Sequence, residues 1–75
     1  MVDDNIVLFV GMFLNEYKYV TAVELQKYII ERPEVGKVIS IDQIENVLDN
    51  LHCVKFLDIC GTIDGNIAYV KYKGK

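Results

Sequence analysis

Few residues in this 75-residue chain are equipped for bond-making chemistry. His52 is the one histidine, Cys53 follows it directly, and Cys60 is the second of two cysteines. Zinc sites draw on paired Cys and His clusters at short fixed spacings, and His52, Cys53 and Cys60 match no such pattern. His52 falls at the end of a helical pattern, where interaction with the helix dipole is the simpler role. A Cys53–Cys60 disulfide would require Cα atoms within about 7 Å. An extended run over 54–60 sets them roughly 20 Å apart, at about 3.3 Å per residue. Free thiols are therefore expected, with a bridge between two copies left open. Nothing resembles a nucleophile beside a base, and so short a chain has no room for a large active site. The expectation is a non-enzyme with no metal and no cofactor.

Charge offers a second kind of chemistry. The 8 basic and 11 acidic side chains give net charge -3 and an isoelectric point near 4.9. The distribution is uneven: residues 1–50 carry net -5 and residues 51–75 carry net +2. A hydrophobic content of 52% excludes a disordered chain. The longest apolar run, Ile6 to Leu14, falls far short of the roughly 20 residues a bilayer span needs. Asp3 and Asp4 stand where a secretion signal would be basic, so a cytoplasmic protein with no membrane partner is expected. The length allows one domain, residues 1–75. A domain so small buries only about 60% of its unfolded surface. High apolar content then points to a dense core or to a second copy.

Four elements must position these groups. From Asp3 to Glu16 the spacing predicts a helix with Ile6, Phe9, Val10, Phe13 and Leu14 on one face. A strand at Ile6–Val10 competes with it. Asp3 and Asp4 suit the positive end of the helix dipole, and Asn5 competes as cap. Val7, Leu8 and Met12 lie off the stripe, and a helix apolar almost all round needs cover on a second side. These three are the candidate homodimer interface. Thr21 and Glu24 then form a T-x-x-E capping box, with Val20 and Leu25 as its hydrophobic staple. Ala22, Leu25, Tyr28 and Ile29 should face inward, and the helix should stop near Glu31 because of Pro33. Ser40 with Gln43, and Ile39 with Ile44, repeat the same box and staple. There Ile41, Ile44, Val47, Leu48 and Leu51 share the buried face, leaving Asp42, Gln43, Glu45, Asn46, Asp49 and Asn50 in water. Finally, Val54–Thr62 and Asn66–Lys73 flank Asp64-Gly65, a hairpin signal of the type I′ kind. With Ile63 facing Asn66, Ile59 falls opposite Val70, Leu57 opposite Tyr72 and Gly61 opposite Ala68, all on the core face. Asp58 then meets Lys71, Cys60 meets Tyr69 and Phe56 meets Lys73 on the outer face.

The stretches YVTAVELQKYI, ISIDQIENVLDNL and VKFLDICGTIDGNIAYVKY, in this order, resemble a winged helix-turn-helix domain over about residues 5–73. The resemblance implies an α+β fold of three helices and a C-terminal hairpin wing, with Lys18–Val20 as a short third strand. The small size and the Ile, Val, Tyr and Lys usage are similar to regulators of archaea or their viruses. The family function would be sequence-specific binding of double-stranded DNA by a dimeric transcription regulator, the third helix lying in the major groove. Gln43, Asn46 and Asn50 would read bases, since such amides pair bidentately with adenine. Ser40 and the first amides of that helix would hold a phosphate, with Lys37 just before them. Lys71, Lys73 and Lys75, with Tyr69, would hold further phosphates. Each has a plainer role too: Gln43 as cap partner, Asn46 and Asn50 as a solvated face, the lysines as protection of a sheet edge. Two features depart from the family. The connection Arg32–Ile39 has eight residues where three or four are usual. The third helix has no Lys or Arg, while Asp42, Glu45 and Asp49 each repel phosphate. The other expectation is therefore a winged-helix module that binds protein and not DNA.

Overall fold

A computed structural model describes residues 4–32 and 39–74. Its elements are α1 (Asp4–Glu16), α2 (Ala22–Ile30), α3 (Ile41–Cys53), β1 (Leu57–Ile63) and β2 (Asn66–Lys71). The chain is thus α+β, three helices followed by a two-stranded antiparallel sheet. Lys37, Lys75 and most of the connection from Arg32 to Ile39 lie outside the described residues.

The strand alternative at Ile6–Val10 gives way to a helix. α1 buries Ile6, Val10 and Phe13, at i, i+4 and i+7. The stripe is narrower than the spacing predicts, since Phe9 and Leu14 are only half-buried at its margins, as is Val7. In α2 the Thr21 hydroxyl accepts the Glu24 amide at 3.2 Å, and Val20 and Leu25 of the staple are fully buried. Its buried residues are Ala22, Leu25, Tyr28 and Ile29, as the spacing requires. α3 has the complete capping box. The Gln43 amide donates to Ser40 Oγ at 3.2 Å, and the Ser40 amide donates back to Gln43 Oε1 at 3.0 Å. Ile44, Val47, Leu48 and Leu51 are buried below it, and each such side chain stabilises the fold by about 1.5–3 kcal/mol.

α3 closes with a Schellman motif that its sequence conceals. The Phe56 amide donates to the Leu51 carbonyl at 2.8 Å, and the Lys55 amide to the His52 carbonyl at 3.0 Å. Lys55 therefore sits in the left-handed region, at φ 64, where glycine is usual. This turn delays β1 to Leu57, three residues after the expected start.

The hairpin turns at Asp64-Gly65, with φ of 52 and 82 as a type I′ turn demands. Ile63 pairs with Asn66 and Gly61 with Ala68, in the expected register. Beyond Gly61 the expected register fails. A bulge at Cys60 shifts the ladder by one, pairing Ile59 with Tyr69, Asp58 with Val70 and Leu57 with Lys71. The Asp58–Lys71, Cys60–Tyr69 and Leu57–Tyr72 pairs are therefore replaced. The extra residue also redirects the faces. Leu57, Ala68 and Tyr69 enter the core, while Ile59 and Tyr72 remain substantially exposed. The segment before α2 contributes a single bridge, Val20 to Tyr69, with two hydrogen bonds of 2.9 and 2.8 Å. β2 thus lies between β1 and that segment.

Candidate functional site

The α3 capping box has a direct consequence for base reading. A bidentate contact with adenine uses both the oxygen and the nitrogen of a side-chain amide. Gln43 Oε1 is engaged at the cap, accepting from the Ser40 amide and from Ser40 Oγ at 3.3 Å. Ser40 is in turn committed to Gln43. Asn50 Nδ2 donates to the Asn46 carbonyl at 2.8 Å, one turn back along α3. Of the three candidate readers, Asn46 is the one whose side chain has no hydrogen bond of this kind, and it is exposed.

Asn46 lines a groove of about 640 Å³ between α3 and the hairpin tip, with Asp42, Glu45, Asp49, Asn66 and Tyr69. Among the described residues, three carboxylates and no cation line it. Tyr69 was expected among the phosphate contacts, but it is 6% exposed and its backbone is bonded to Val20. Burial pushes its phenol up from the ordinary 10.0, and the Asp49 and Glu45 carboxylates push in the same direction. The ring that the alternation of β2 places outside is a core ring, on the strand position that the buried Val20 bridges.

The lysines gather elsewhere. Lys71 and Lys73 share a groove with Lys18 and Glu16 where the end of α1 meets β2. Sequence reasoning missed Lys18. The signal was the antiparallel bridge, since pairing Val20 with Tyr69 sets Lys18 opposite Lys71. This edge lies at the end of β2 away from the Asp64-Gly65 turn, whereas the acidic groove reaches that turn. The structure therefore does not bring Asn46 to one side with Lys18, Lys71 and Lys73.

A third surface is apolar. Leu8 is 65% exposed, Met12 39% and Phe56 53%. They border a groove of about 600 Å³ between α1 and the start of β1, which also takes in Gly11 and Lys71. Val7, expected at the same interface, is half-buried and packs partly on the core. Phe56 stands outside the expected interface, although the strand alternation sets it on the outer face. It is presented by the Schellman turn, and its carbonyl accepts the Tyr72 amide at 3.1 Å.

Tyr28 anchors the opposite side of α1. Its ring meets Phe13 edge-on at 5.2 Å, Arg32 lies 3.6 Å over its face, and its hydroxyl donates to Glu16 at 3.3 Å. Burial raises its pKa from 10.0, with Arg32 opposing and Glu16 adding. Cys53 and Cys60 are free and exposed thiols. Among the described residues no group of three or more His, Cys, Asp or Glu is placed to hold a metal, and no helix is long and apolar enough to cross a membrane. No protein-family model matches the chain, and no curated protein or solved structure matches it either.

Proposed function

We propose that the chain is a winged-helix-type protein-interaction module that does not take duplex DNA through α3. The α+β order of three helices and a hairpin supports the winged-helix reading. One observation carries the functional choice. The exposed face of α3, which that layout would send into a major groove, presents Asp42, Glu45 and Asp49 with no cation. Phosphate contacts supply most of the affinity of DNA binders, and here each exposed carboxylate opposes them. A second reading, dimeric DNA-binding regulation, draws on one specific feature: Lys18, Lys71 and Lys73 form a basic edge able to hold phosphates.

Fluorescence anisotropy with a mixed-sequence duplex separates the two. The module reading expects no binding tighter than about 100 μM at low salt, the weak end of non-specific affinity. Micromolar binding that falls steeply with salt, and that disappears on Lys71→Ala with Lys73→Ala, would establish the second reading instead. Neutralising α3 by Asp42→Asn, Glu45→Gln and Asp49→Asn should create duplex affinity where the wild-type chain has little.

A further inference from the structure

We infer that the α1 groove is occupied by α1 of a second copy, the two helices crossing antiparallel at Gly11. This rests on the reading of the chain as an interaction module, and it names the partner. Glycine in the middle of a helix is unfavourable relative to alanine, so a helix keeps it where something must come close. Nothing among the described residues explains it here. A Cβ built on Gly11 meets no atom within 4 Å, and the position is exposed. Leu8, Gly11, Met12 and Asn15 follow at i, i+3, i+4 and i+7 on one outward stripe, with the residue lacking a side chain between two apolar ones. That is a notch flanked by knobs, and helices packed face to face sit only 8–10 Å apart.

Self-complementarity selects a second copy. A two-fold interface needs one patch to supply both knob and hollow. Phe56 stands beside the same groove, 53% exposed and held by the backbone bonds that close α3. In an antiparallel pair it reaches the α1 of the other chain. The helix dipoles agree with that direction. α1 starts at Asp4 and closes at Glu16, beside the groove that Lys18, Lys71 and Lys73 line. Antiparallel crossing sets each dipole-positive start against the partner's dipole-negative end. Parallel crossing would set like against like.

Sedimentation equilibrium on the full chain, from roughly 1 to 100 μM, covers the range such a modest patch supports. The expected mass at the upper end is twice 8.6 kDa. Leu8→Lys with Met12→Lys should return it to 8.6 kDa with unchanged circular dichroism, since both side chains are exposed. Phe56→Ala should raise the dimer Kd about tenfold, the loss of one good anchor. Gly11→Ala is the sharpest variant. It should raise the unfolding temperature of the dilute, monomeric chain and yet weaken the dimer. A wild-type monomer at 100 μM overturns the inference, as does a dimer indifferent to Leu8 and Met12, or one that Gly11→Ala tightens. Duplex binding is read separately. A monomer that ignores DNA sinks only this interface, and a dimer that binds duplex sinks only the function proposed above.

Discussion

α1 and α3 are helices of equal length, 13 residues each, and both press one stripe onto the same core. Their outward faces are opposites. α3 turns Asp42, Gln43, Glu45, Asn46, Asp49 and Asn50 to water, whereas α1 turns Leu8, Gly11 and Met12. Burial of the inner stripe therefore does not define what a helix is for. The outer face does, and only α1 has one that water disfavours. The ends differ as well. α3 is fixed by a reciprocal cap at its start and a Schellman turn at its finish, so its polar face is held rigidly in solvent.

The strongest way to test this contrast is to truncate on both sides of each helix. Leu48→Ala in α3 or Ile6→Ala in α1 removes a fully buried side chain and should cost about 2–5 kcal/mol by urea denaturation. Leu8→Ala in the dilute chain should stay within about 0.5 kcal/mol of wild type, as exposed positions do. A cost at Leu8 comparable to that at Ile6 would mean that α1 has no free face. At the α3 end of the molecule, Ser40→Ala should lose about 1 kcal/mol by breaking the capping box. Gly65→Val should lose about 1–2 kcal/mol, because β-branched residues resist the left-handed φ of 82. Lys55→Gly has the opposite sign. It should stabilise the chain by up to about 1 kcal/mol at the left-handed residue that ends α3, with the melting temperature as readout.

Alkaline titration gives the subtlest comparison. Tyr28 packs on α1 and Tyr69 lies beside Glu45 and Asp49 of α3, and burial raises both phenols above 10.0. The folded chain then holds protons that the unfolded chain has released. Its stability is complete below pH 10 and declines as pH rises past that value. Tyr28→Phe and Tyr69→Phe should each flatten the decline in the urea midpoint, and no flattening in either would remove this origin of alkaline sensitivity.

The helices were legible because their signals are local. The capping box at Ser40, the Thr21 cap and the staples at Val20–Leu25 and Ile39–Ile44 are written within five or six residues, and the structure realises the inward faces of α2 and α3 as spaced, with the Thr21 hydroxyl taking the Glu24 amide as one half of the expected box. The Asp64-Gly65 turn was legible for the same reason. What escaped was whatever depends on an irregularity. One extra residue at Cys60 moves the distal ladder by one and sets Ile59, in place of Cys60, opposite Tyr69. A lysine in left-handed geometry at position 55 has no signature, so the late start of β1 could not be read. The lysine cluster needed a pairing 49 residues apart, Val20 with Tyr69.

That same pairing orders events in time. β2 is the central strand, and its Tyr69 enters the core where the chain bridges to Val20. Closing so long a loop is thermodynamically mild, since each doubling of length costs only about 0.6 kcal/mol. Kinetically it is a nonlocal contact that must wait for the rest of the chain. At synthesis rates of about 5–20 residues per second, roughly 2–10 s separate the appearance of Val20 from that of Tyr69. During that interval β1 lacks its partner strand and the segment at Val20 lacks its bridge, so a ribosome stalled before Tyr69 would hold a chain with unpaired strand edges however well its helices are capped.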